Sequence, residues 1–154
     1  MMSGYTGERL LLTLWVGSLW AVGYLAVPMA FAHLDTSVAG AYAGRLFFAV
    51  NLIGIASAII LLFSRLFIFG LSNFHRYWRS WMLLTMLAIS LLFVGYLQPE
   101  MQALKQAGLG SGIDAAERFG SLHKLSEITY LLLSLFGLML VLTTDKRSEA
   151  SEAV

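Results

Sequence analysis

Not one cysteine occurs in this sequence, which excludes disulfides, thiolate metal sites and Cys-x-x-Cys redox chemistry. Charge is nearly as scarce. Asp, Glu, Lys and Arg make up 12% of the residues, about half the share of an average soluble domain. Ten Lys and Arg against nine Asp and Glu leave a net charge of +1, and no basic cluster is interleaved with aromatics, so nucleic acid is not an expected partner. No Ser-His-Asp arrangement, His-Glu-x-x-His or acid-base carboxylate pair at a recognisable spacing marks a hydrolase, and the reading leans away from an enzyme. Proline is confined to Pro28 and Pro99, where it is expected to kink helices.

What fills the chain instead is apolar: 58% of its 154 residues, with a mean hydropathy of +0.76. The expected class is all-α, a polytopic integral membrane four-helix bundle with helices extending beyond the bilayer on one side. Spans are expected over about 10–33, 46–70, 79–98 and 126–143, in a single membrane domain with a polar tail over 145–154. The first run has a signal-peptide look, since Arg9 precedes it and Ala30-Phe31-Ala32 has a small-x-small form. It is too long for that, because a signal h-region has only about 7–15 apolar residues.

Helical periodicity assigns faces to these segments. Thr13, Gly17, Ala21, Tyr24, Pro28 and Phe31 share one side of the first span, where a neighbouring backbone is expected to approach. Asp35 is a candidate N-cap of the second helix. Along that helix Gly40, Gly44, Phe47, Asn51, Gly54, Ala58, Leu62 and Arg65 form a stripe with Gly-x-x-x-Gly at its start, read as a packing seam. Asn51 is expected to make an interhelical hydrogen bond there, or else to line a ligand path. Pro99 and the polar stretch from Glu100 to Ala107 read as an extension of the third span, stopped by the glycines of 108–112; Asp114 with Glu117 resembles a capping box.

In the last helix Ala116, Phe119, His123, Glu127, Tyr130, Ser134, Gly137 and Val141 fall on one side, expected to face the other helices, with Ser126 entering the apolar core. His123 and Glu127 lie four apart, so an imidazole and a carboxylate can converge on one metal ion or share a proton. If the topology brings together the ends of the first and third spans and the start of the fourth, then His33, Glu100, Arg45 and Tyr130 join them as a candidate polar or ligand site. The plainer reading is a set of interfacial polar residues paired among themselves. Both stay open.

Four ordered pieces, Pro28-x-x-Phe31-x-x-Leu34, Ala39-Gly40-x-x-x-Gly44-x-x-Phe47, Leu97-Gln98-Pro99-Glu100 and Phe119-x-x-x-His123-x-Leu125-Ser126, carry a resemblance. Together they resemble the bacterial domain-of-unknown-function family of four-helix membrane proteins, DUF4149, related to eukaryotic transmembrane protein 205. Lys124 and Tyr130 depart from the residues common in that family. The resemblance implies architecture more than activity. A more distant similarity to membrane domains of copper-resistance D type and of a haem-associated protoporphyrinogen oxidase type raises a metal ion or haem as ligand.

Three functions follow as expectations. One is a small inner-membrane transporter or resistance component handling a metal or small cation through a polar inter-helix site. The others are a non-catalytic subunit of a larger membrane complex or a homo-oligomer, and a haem- or metal-binding redox protein. Orientation rests on the second loop, where His75 and Arg76 lie between Arg65 and Arg79 with no acid close in sequence. By the positive-inside rule both termini are cytoplasmic, in the inner (cytoplasmic) membrane. Reporters fused after Ser148 and within Leu71–Phe74 should therefore report cytoplasm, and one within Gly108–Gly112 the opposite side; a reversed signal from the 71–74 fusion would overturn this orientation.

Overall fold

The structure, a computed structural model, describes residues 2–70, 77–108 and 113–143. The second-loop residues His75 and Arg76, the glycine turn over 109–112 and the tail after Thr143 lie outside the described residues. Four long apolar helices account for the rest, over Thr6–His33, Thr36–Ile68, Trp78–Ala107 and Asp114–Leu142, each long enough to cross a bilayer. They pack in cyclic order, first on second, second on third, third on fourth and fourth on first. The chain is an all-α membrane four-helix bundle, with no strand among the described residues.

The second helix, Thr36–Phe69, has 34 residues and so is roughly 50 Å long. This exceeds a hydrocarbon core of about 30 Å, and the helix projects or tilts. Asp35 stands at its N-cap, but its side chain makes no capping hydrogen bond. The far end closes on Gly70, whose φ of 71° suits a residue without Cβ and whose N–H donates to Leu66 O.

Neither proline breaks its helix. Instead a π-turn precedes each one, Val22–Ala26 before Pro28 and Phe93–Leu97 before Pro99. The N–H of Val27 reaches back to Val22 O and that of Gln98 to Phe93 O. A proline ring collides with the carbonyl four residues earlier, and a widened turn moves the backbone out of the way. The two turns share a sequence as well as a shape. Leu11-Leu12-Thr13, Ser18-Leu19 and Val22-Gly23-Tyr24-Leu25 recur as Leu83-Leu84-Thr85, Ser90-Leu91 and Val94-Gly95-Tyr96-Leu97, a pattern shared by the first and third spans and set one residue out of register with the two π-turns.

Packing between spans fits bulk on one helix to absence of bulk on the next. Trp15 is fully buried with its indole against Gly54, where an added Cβ would collide with Nε1. Tyr130 closes on Gly23 in the same way, and Val16 Cγ2 would stand 2.8 Å from a Cβ at Gly137. Accordingly the first span turns Leu12, Trp15, Val16 and Leu19 inward. The face expected to face its neighbours (Thr13, Gly17, Ala21, Tyr24, Pro28 and Phe31) is exposed throughout, and Pro99 is exposed too. The expectation paired small with small, whereas here the large side chains go in and the partner helices supply the glycines.

The fourth span differs in phase as well. Leu122, Ser126, Thr129, Tyr130, Leu133, Ser134, Gly137 and Leu140 are buried, while Ala116, His123, Glu127 and Val141 are exposed. The inward direction is rotated by roughly 60° from the predicted one, enough to carry the ionisable pair outside while Tyr130 and Ser134 stay within. Gly54→Leu or Gly137→Leu should therefore lower stability by about 1–3 kcal/mol through overpacking, whereas Leu132→Ala, on an exposed position, should change it by less than about 0.5 kcal/mol; thermal unfolding in detergent compares the three.

Candidate functional site

Polar side chains gather at the two ends of the bundle and between them. At the end of the bundle where the first span begins and the fourth finishes, Glu8 Oε1 lies 2.9 Å from Arg79 Nη2 and 3.5 Å from Arg65 Nη1. Both guanidiniums are buried, and Glu8 keeps 24% of its side chain exposed. Arg65 Nε also donates to Ser80 Oγ at 3.2 Å and its guanidinium lies over the Tyr77 ring. Arg79 Nη1 donates to Leu140 O at 2.9 Å and to Thr143 O. Those carbonyls belong to the last turn of the fourth helix, which lacks intrahelical donors and carries the negative end of the helix dipole. One carboxylate and two arginines thus tie all four spans together, although the sequence showed no acid near the arginines.

Each span crosses about the same height above that cluster. About 20 residues along from Glu8, Arg65, Arg79 and Thr143 stand Pro28, Arg45, Pro99 and His123, so the apolar zone is roughly 30 Å deep. At this opposite end Gln98 Nε2 donates to Gly44 O at 2.6 Å and Lys105 Nζ to Gly40 O at 3.4 Å. The Gly-x-x-x-Gly therefore serves polar side chains of the third span, which reach backbone carbonyls that a bulkier residue would shield. Gly44 has Gln102 Nε2 only 3.1 Å from where its Cβ would be.

The six residues expected to converge are spread over separate partners. His123 Nε2 and Glu127 Oε1 are 3.4 Å apart, with 56% and 66% of their side chains exposed, and Phe119 stacks on the imidazole. Glu100 pairs with Arg118 at 2.9 Å. His33 Nδ1 is 2.9 Å from Met29 O of its own helix, and Arg45 is exposed. Tyr130 is buried in the core and donates to Leu19 O at 2.6 Å. No group of three His, Asp or Glu side chains placed to hold a metal occurs among the described residues.

Further polar residues lie within the bundle between the two ends. Asn51 is 1% exposed and its Nδ2 donates to Phe47 O of its own helix at 2.9 Å, not across helices as expected. Ser126, Thr129 and Ser134 turn their hydroxyls back to carbonyls of the fourth helix.

The family model described as Domain of unknown function (DUF4149) matches residues 10–109. The chain belongs to the DUF4149 family. In this DUF4149 chain the matched stretch takes in the first span from Leu10 onward, the second and third spans, both π-turns, Arg65 and Arg79, and leaves out Glu8 and the fourth span with His123 and Glu127. Comparison with curated proteins and with solved structures gives no match.

Removing the shared carboxylate tests the tie at the terminal end. Glu8→Gln should destabilise the protein by on the order of 3 kcal/mol, since it deprives two buried guanidiniums of their common partner; Glu127→Gln, in an exposed pair within one helix turn, should cost less than about 0.5 kcal/mol. Equal melting temperatures of the two variants would remove the central role given to Glu8.

Proposed function

We propose that this DUF4149 protein is a non-catalytic membrane subunit that offers the outward polar patch of its fourth span to a partner membrane protein. The observation that carries this is the exposure of His123 and Glu127, beside exposed Lys124, on the side of the span turned away from its own bundle. Ionisable side chains of spanning helices nearly always face a bundle interior, a water-filled cavity or a polar partner. Here the chain's own bundle supplies none of these, and a partner's surface at the membrane boundary would. The reading includes an inner-membrane location with both termini cytoplasmic, supported by Arg65 and Arg79 at the terminal end.

A second reading, a small transporter or resistance component for a metal or small cation, draws on the 3.4 Å approach of His123 and Glu127. These are two donors from one helix, fewer than the three or four protein ligands of a zinc site, so a second copy or water would complete the shell. Haem has less support, because both described histidines, His33 and His123, are exposed and neither is set inside the bundle.

A photo-crosslinking residue placed at His123 or Glu127 in cells should yield one adduct of defined mass, and Glu127→Lys should reduce the yield from position 123 at least several-fold. The same probe at Ile60, exposed on the second span, should give no such adduct. Adducts to lipid alone from all positions would overturn the subunit reading, and stoichiometric metal on the purified chain, lost with His123→Ala, would favour the second.

A further inference from the structure

Three polar atoms without partners lie within the bundle. They are Trp15 Nε1, Asn51 Oδ1 and Ser90 Oγ, on the first, second and third spans, in side chains that are 0%, 1% and 0% exposed. The packing around them places them in two adjacent layers. The Trp15 indole lies on Gly54 with Nε1 foremost, and Gly54 is three residues from Asn51 on the same buried stripe, about 5 Å along the axis. The Phe47 and Phe93 rings meet edge to face, 6.1 Å apart. Asn51 is one turn from Phe47, and Ser90 is one turn from Phe93 in the antiparallel neighbour, so these two occupy the next layer together. Phe47 and Tyr130 close that layer on one side, their centroids 4.8 Å apart, and buried Met86 and Leu133 add apolar walls.

Leaving such groups unpaired is expensive, about 1–3 kcal/mol each when buried, and in a membrane no bulk solvent relieves them. Their chemistry states what would. An indole N–H only donates, an amide oxygen only accepts, and a hydroxyl does both. The Asn51 amide is not free to turn over, because its Nδ2 is committed to Phe47 O. A guest must therefore accept one hydrogen bond and donate another. A cation cannot accept from Trp15, an anion cannot donate to Asn51, and no ionised side chain lies at this level. Trp15 packs directly on Gly54, and the Phe47, Phe93 and Tyr130 rings pack on one another, so the guest has to be very small.

We propose that these adjacent layers form a binding site for water, one or two molecules held by Trp15 Nε1–H, Asn51 Oδ1 and Ser90 Oγ. Buried water in proteins makes about three such bonds, which is the number of atoms offered. Ser18, Ser126, Thr129 and Ser134 each return a hydroxyl to a carbonyl of their own helix, whereas Ser90 makes no such bond and is left for an interior ligand.

The full chain in lipid nanodiscs, with 15N-labelled tryptophan, tests this. Of the four tryptophans, Trp20, Trp78 and Trp81 are exposed, so single Phe substitutions at those three assign the Trp15 indole resonance even if Trp15→Phe does not fold. The Trp15 N–H should show a dipolar cross-peak to water, lost in Asn51→Leu and Ser90→Ala. Ser90→Ala should also lower the melting temperature by a few degrees, because it deprives a held water of one bond, whereas in a dry layer removing an unsatisfied hydroxyl would raise it. Absence of the cross-peak in the parent protein, or a Ser90→Ala protein more stable than the parent, overturns the proposal.

Discussion

Glu8 is the point at which the bundle is tied. Two guanidiniums taken out of water cost several kcal/mol each unless their charge and hydrogen bonds are met inside, and Glu8 meets both at distances of 2.9 and 3.5 Å. Arg79 can then reach the final carbonyls of the fourth helix, and Arg65 can hold Ser80 at the head of the third. Four helices with little intrinsic reason to stay level with one another are brought to a common height. From that height Pro28, Arg45, Pro99 and His123 each stand about 20 residues along their spans, close to the thickness of a bilayer.

Between those two heights the helices cannot rely on hydrophobic burial to find one another, since lipid is as apolar as leucine. Shape takes over. Trp15 over Gly54, Tyr130 over Gly23 and Val16 over Gly137 each join the first span to another helix. The first span acts as the wedge of the bundle, offering large side chains to the second and fourth spans while accepting Tyr130 from the fourth. This is why its own glycine at position 17, with nothing within 4 Å, faces outward.

Much of this was legible in the sequence. Composition and run length define four membrane helices, and the second-span stripe from Gly40 to Arg65 consists of buried and half-buried residues, its polar and small residues recurring in phase over several turns. The family was legible too, from motifs in order along the chain. The face of the fourth span was not, because His123 and Glu127 point away from the chain's own bundle near the membrane boundary, and periodicity does not separate polar residues that face inward from those that face outward. The tie at Glu8 was hidden by distance, with partners 57 and 71 residues away. One further signal lies in the repeated Leu-Leu-Thr, Ser-Leu and Val-Gly-Tyr-Leu pieces, which relate the first and third spans.

The π-turns give this bundle an unusual sensitivity to chain length. Each holds one residue more than an α-turn would, so the helix beyond it is clocked forward by roughly 100° relative to the helix before it. In the third span this phase places Gln98 and Lys105 against the carbonyls of Gly44 and Gly40 while Met86 and Ser90 still face the core. Deleting one residue between Phe93 and Leu97 would leave every remaining side chain chemically unaltered and would close the widened turn onto the Pro99 ring. It would also swing Gln98 and Lys105 away from the second span, so the outer third of the bundle depends on a surplus residue, independently of which amino acid that residue is.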